Sequence, residues 1–193
     1  MAKAAALDAG YQLKITLQGS KPPIWRRVVV TPTLTFAALH QVIQLAMGWD
    51  DCHLHEFNVN GERIGRLPAA DDLMGMEADD DLRDERKVRL SQFLLQPKQT
   101  FSYTYDFGDS WEHVLLLEKI LPGAVAKPVC LAGKMACPPE DCGGLYGYMR
   151  LLDVLSHPRH PEHEEMKEWC GDNWNAEAFD LEATNRCLGK VKS

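Results

Sequence analysis

From Tyr11 to Gln18 apolar and polar residues alternate, with Tyr11, Leu13, Ile15 and Leu17 set against Gln12, Lys14, Thr16 and Gln18. A period of two sends successive side chains to opposite faces, so this segment is predicted as a strand with one buried face. Residues 19–23 hold the glycine and prolines of a turn, and the β-branched run from Ile24 to Val30 is its expected hairpin partner. The period then lengthens. Thr35 can cap a helix whose apolar positions Phe36, Leu39, Val42, Ile43 and Ala46 share one stripe, with Gly48 as its stop. His53 to Val59 reads as a strand that turns at Asn60-Gly61 into a return strand through Ile64. A second alternating run, Phe101, Tyr103, Tyr105 and Phe107, crosses the turn Gly108-Asp109-Ser110 into a strand from Trp111 to Ile120. Past Gly144 the spacing is helical, with Pro161 opening a helix that stops at Gly171 and Asp180 capping a last one through Leu188. Strands first and helices last predict an α+β fold: a mixed or mostly antiparallel sheet, one helix packed on it, and a helical C-terminal third.

The 193 residues predict one domain over 11–188, with a disordered tail at 1–10 and a short tail at 189–193. Eight acids between residues 68 and 87, with little apolar periodicity, predict a mobile acidic insertion there. Lys plus Arg is 21 against 28 for Asp plus Glu, giving a net charge of −7, and tight nonspecific nucleic-acid binding is not expected from a chain of that sign. No run is long and apolar enough for a bilayer span, and the apolar stretch near residue 4 is too short for a signal-peptide core. A cytoplasmic location without membrane partners is the expectation, and the six cysteines then read as thiols or ligands rather than disulfides.

Cys130, Cys137 and Cys142 place three soft ligands within thirteen residues, so zinc is a candidate cofactor, although paired C-x(2–4)-C spacing is absent and packed thiols bracing a Pro-rich loop are the alternative. His53 and His55, two apart on the predicted strand, would share one face and could present two imidazoles to a metal. Asp106, Asp109 and His113 gather about one turn, and a carboxylate beside an imidazole is the minimal acid–base pair. A turn in which Asp109 bonds its own backbone is the plainer reading. Glu140 and Asp141 are further catalytic candidates, with Asp141 also placed to cap the following helix. Arg26, Arg27 and Trp111 are candidates for binding a small ligand, since residues 1–50 hold five basic and two acidic side chains. The aromatics from Phe101 to Trp111 read as core rather than as a base-stacking platform, because their flanks lack positive charge.

Several segments in order, Pro23-Ile24-Trp25-Arg26-Arg27, His53-Leu54-His55-Glu56-Phe57, Asp106-Phe107-Gly108-Asp109-Ser110-Trp111-Glu112-His113, Cys137-Pro138-Pro139-Glu140-Asp141-Cys142 and His160-Pro161-Glu162-His163, resemble the plasmid pRiA4b ORF-3-like family over about residues 11–188. The resemblance implies a compact α+β domain of bacterial or archaeal origin in a family also labelled as insertion-element passengers of resolvase-like type. It implies no established activity. Serine recombination chemistry does not carry over, because residues 157–182 hold eight acids against Arg159 and Lys167 where a DNA-binding tail needs basic charge. Two readings follow: a binding or adaptor domain for an unidentified protein or small ligand, which leans away from catalysis, or a metal-dependent hydrolase or nucleic-acid-processing enzyme using the Asp106, Asp109 and His113 turn with the cysteine loop.

Overall fold

The computed structural model describes residues 9–68, 81–171 and 174–191. Eight strands form one sheet in the order β5-β4-β3-β6-β7-β1-β2-β8. They are β1 (Ala9–Leu17), β2 (Trp25–Val30), β3 (His55–Val59), β4 (Glu62–Gly65), β5 (Leu82–Asp84), β6 (Thr100–Tyr105), β7 (Trp111–Pro122) and β8 (Val129–Lys134). Every pairing is antiparallel except β4 with β5, so the sheet is mixed and the fold is α+β. Helix α1 (Phe36–Met47) packs its apolar stripe on one face, and α2 (Gly144–Ser156), α3 (His163–Cys170) and α4 (Leu181–Leu188) follow the last strand.

Local chemistry accounts for these boundaries. The Thr35 side chain accepts from the Ala38 N–H at 3.2 Å, and Gly48 at φ 101° closes the other end of α1, where a side chain would be strained. Leu39, Val42 and Ile43 are fully buried in one core cluster with Phe57, Phe101 and Tyr103 of the sheet. Burial of each such aliphatic side chain contributes at most about 1.5–3 kcal/mol. The opposite face is open and polar, carrying a hydrogen-bonded strip in which Gln12 and Arg27 both donate to Glu118.

Three expectations from the sequence change here. Within the predicted acidic insertion, 69–80 lie outside the described residues, but Leu82–Asp84 form a strand, and Asp84 and Glu85 are buried. The acids enter the sheet edge because each is paired: Asp84 accepts from Arg86, and Glu85 meets His55 at 2.6 Å. Of the predicted N-terminal tail, 1–8 lie outside the described residues, and Ala9 and Gly10 already belong to β1. Of the C-terminal tail, 192–193 lie outside them, whereas Val191 is buried against the core.

Candidate functional site

Three segments far apart in sequence meet at one end of the sheet: the loop after α1, the β6–β7 turn and the loop before α2. Trp49 ties the first to the third by donating from Nε1 to the Pro138 carbonyl at 3.1 Å. The second and third are joined where the Gly143 N–H donates to Asp109 Oδ2 at 3.1 Å. Asp109 therefore braces the neighbouring loop instead of bonding its own turn. Asp106 does that, through Oδ1, which accepts from Gly108 N at 2.8 Å. Asp141 does not cap α2 either; the N-cap position is Gly143, at φ 88°, and makes no side-chain cap.

At the centre stands His53. Its Nε2 lies 3.1 Å from Asp141 Oδ1, 3.8 Å from Asp106 Oδ2 and 3.9 Å from Glu140 Oε2, while the Cys52 thiol lies close enough to join His53 and Glu140 in one ligand group. Neither His53 Nε2 nor Glu140 Oε2 is accessible, and neither makes a hydrogen bond among the described residues; even the 3.1 Å approach of Asp141 lacks hydrogen-bond geometry. Each of two carboxylates uses one oxygen to hold itself and leaves the other free. Glu140 Oε1 accepts from Asp50 N and from the Tyr105 hydroxyl, both at 3.0 Å, and Oε2 turns to His53. Asp106 splits its oxygens likewise between Gly108 N and the centre. Asp51, Asp106 and Asp141 all sit at φ 55–57°, a backbone region that non-glycine residues seldom occupy and that clusters at functional sites. Among the described residues no Lys or Arg pairs with Asp106, Glu140 or Asp141.

Tyr105 fastens the loop after α1 by accepting from Cys52 N at 3.1 Å while it donates to Glu140. Burial first, then the contacts with the Cys52 thiol and Glu140, raise its phenol pKa well above the ordinary value and keep it a donor, against a smaller lowering by the Cys52 N–H. Burial also raises the Cys52 thiol, so a thiolate ligand there would have to be created by the cation itself.

Behind this site lies a second cluster. His40 and His55 stack with ring centroids 3.4 Å apart and planes 5° apart. His40 meets Asp51 at 2.7 Å through Nε2 and Tyr103 at 2.8 Å through Nδ1, and His55 meets Glu85. Imidazole lone pairs lie in the ring plane, so a cation shared by two parallel rings would sit off both of them. With these nitrogens already partnered, the cluster is structural. His53 and His55 thus do not share a face: β3 begins at His55, which is buried, while His53 belongs to the loop before it.

The other sequence candidates fall elsewhere. His113 is fully enclosed beneath Trp49 and Tyr103, donates from Nδ1 to the Trp111 carbonyl, and is not among the groups around His53. Burial lowers its pKa to about 4. Trp111 is buried, and Arg27 is held by Glu118 on the open face. Cys130 and Cys137 are buried, and Cys142, pushed up to about 12 by burial, contacts the Gly144 carbonyl. None of the three joins a potential ligand group among the described residues. Sequence reasoning paired the Asp106 turn with the loop that carries Glu140 and Asp141 but counted Asp109 and His113 among the site groups and set His53 apart with His55; it missed Cys52, Tyr105 and the buried His40.

The sequence model of the plasmid pRiA4b ORF-3-like protein family matches residues 9–183. The uncharacterized protein y4hQ of Sinorhizobium fredii (strain NBRC 101917 / NGR234) is 36% identical over 180 residues, which is 92% of this chain and 89% of that protein. The crystal structure of MM3350, a protein of unknown function from Methanosarcina mazei Go1, superposes with a TM-score of 0.81 at 39% identity, covering 91% of this chain and 97% of the other.

Proposed function

We propose that this chain, which belongs to the plasmid pRiA4b ORF-3-like family, acts through a divalent transition-metal site at His53, which is shared by two overlapping ligand groups, His53 with Asp106 and Asp141 and His53 with Glu140 and Cys52, with hydrolysis as its reaction class. One observation carries the reading: two buried polar atoms, His53 Nε2 and Glu140 Oε2, lack partners among the described residues and lie 3.9 Å apart beside two further carboxylates. Buried polar groups without partners are rare, and three carboxylates around one imidazole repel one another unless a cation lies between them. Ligands at about 2.0–2.2 Å from a tetrahedral ion stand about 3.3–3.6 Å apart, close to the spacings of 3.1, 3.8 and 3.9 Å around His53. A mixed imidazole and carboxylate set suits Mn²⁺, Fe²⁺ or Zn²⁺.

Such an ion would supply Lewis acidity and lower the pKa of a bound water. Asp141, with 72% of its side chain exposed, leaves the centre open on one side and also borders a cleft of about 240 Å³ lined by Leu151, Met166, Arg150 and Trp169. That cleft offers apolar surface beside the reacting position, as a hydrolase needs for its substrate.

The binding or adaptor reading draws on a different observation. Leu54 and Phe107 are 62% and 55% exposed beside His53 and Asp106, and Tyr146 is exposed in the first turn of α2. Apolar side chains at a site mouth suit a partner surface as well as a substrate. An assay on p-nitrophenyl phosphate and p-nitrophenyl acetate with chelator-stripped and Mn²⁺- or Zn²⁺-loaded protein separates the two. Hydrolysis that requires metal and disappears in His53→Ala supports catalysis; metal binding without hydrolysis of any ester favours the binding domain.

A further inference from the structure

The two neighbouring arginines of β2 illustrate what a period of two does to identical residues. Arg27 turns to the open face and pairs with Glu118 at 2.6 Å. Arg26 turns inward and is 2% exposed, yet no carboxylate among the described residues reaches it. Its Nε donates to the Ala46 carbonyl in the last turn of α1 at 2.7 Å, and Nη1 donates to the carbonyls of Trp25 at 2.9 Å and Lys134 at 3.0 Å. The Phe179 ring covers one face of the guanidinium, 4.3 Å from its central carbon. These contacts use three of five N–H groups and leave both on Nη2 without a hydrogen-bond partner among the described residues.

A role in capping the carbonyls of α1 explains the three bonds and partly offsets the charge through the helix dipole. It does not supply a full counter-charge, and an enclosed guanidinium without one is costly. The two nearest thiols do not supply it, because burial raises the pKa of both Cys130 and Cys137 and keeps them neutral. Arg26 instead borders a cleft of about 360 Å³ between the end of α1 and α4, whose other walls include Trp174, Ala136, Ala178 and Ala183.

We propose that this cleft binds a small organic monocarboxylate, with its carboxylate on Arg26 Nη2 and its apolar body against Trp174 and the alanine walls. Charge sets the head group, since a guanidinium with free donors recognises carboxylate through charge-assisted hydrogen bonds. Small apolar walls set the body. Asp180 also borders the cleft, and its charge weighs more heavily against a dianion than against a single carboxylate, so phosphate and dicarboxylates are disfavoured relative to a monocarboxylate. The site involves none of the residues around His53 and stands independently of the metal.

Calorimetric titration of the full chain with hexanoate, benzoate, their amides and inorganic phosphate tests the assignment. At least one of the two carboxylates is expected to bind saturably, its amide more than ~10-fold more weakly, and phosphate not at all. Arg26→Gln should abolish binding, but it removes a helix cap and can fail to fold. Ala183→Leu fills the cleft without touching Arg26 and, with an unchanged melting temperature, should weaken binding by more than ~10-fold. Absence of saturation with both carboxylates up to ~10 mM, equal binding of acid and amide, binding of phosphate, or undiminished affinity in Ala183→Leu would each overturn the proposal.

Discussion

The Tyr103 hydroxyl closes a ring of hydrogen bonds in which every donor has one acceptor. His40 Nε2–H donates to Asp51 Oδ1, Asp51 N–H to Gln44 Oε1, Gln44 Nε2–H to the Tyr103 oxygen, and the Tyr103 O–H to His40 Nδ1. The ring requires a neutral His40, consistent with burial and the adjacent His55 lowering its pKa. Tyr103→Phe should therefore cost about 1–3 kcal/mol in urea unfolding, since it leaves a buried nitrogen unpartnered. His113 gives a pH prediction. Its folded pKa of about 4 lies below the ordinary 6.5, so in that window the unfolded chain binds a proton that the folded chain refuses. Stability is complete above pH 6.5 and falls by up to about 3 kcal/mol as pH drops toward 4. Unfolding free energies at pH 7 and 4.5 should differ less in His113→Leu than in the parent. At this scale the sequence showed which residues bear chemistry but not where each side chain ends. His53 and His55 part company because the strand starts two residues later than the apolar pattern suggests, and Arg26 and Arg27 part because a strand alternates.

The elements themselves were legible wherever one period ran long enough, as in β1, in α1 with its Thr35 cap and Gly48 stop, and in α4 with its Asp180 cap. Leu39, on the buried stripe of α1, should cost about 2–5 kcal/mol on truncation to Ala. Strand β5 was not legible, because three residues after an acidic run carry no periodicity and pair only through contacts distant in sequence. The site was legible only in part for the same reason: the turn at residue 106 and the loop at residue 140 could be paired from their motifs, but the loop at residue 53 joins them only through the sheet. Gly144 marks how tightly they close. At φ 65° it has room for no Cβ, which would stand 2.5 Å from the Asp109 carbonyl oxygen of the β6–β7 turn. Gly144→Ala should thus push the turn from the loop, costing about 1–3 kcal/mol of strain and weakening any cation held between Asp106 and Asp141. Circular dichroism melts alongside Mn²⁺ titration would show both effects, and a variant with unchanged stability would contradict this close approach.

Across the whole molecule the sheet acts as a rigid frame whose one end presents an acidic, open centre, while its other polar face is occupied by paired charges. A cation bound only to the folded state adds stability by mass action, about 2.7 kcal/mol at a hundredfold excess over its dissociation constant. For a chain of this size that corresponds to a melting temperature roughly 5–10 °C higher than after chelation. The measurement that tests the account most directly is calorimetric titration of untagged, chelator-stripped protein with Mn²⁺ and with Zn²⁺. One equivalent of at least one ion should bind saturably, with affinity lost in both His53→Ala and Glu140→Gln and retained in His55→Gln. No saturable binding of either ion, or binding that survives both substitutions at the centre, would contradict the metal site at His53.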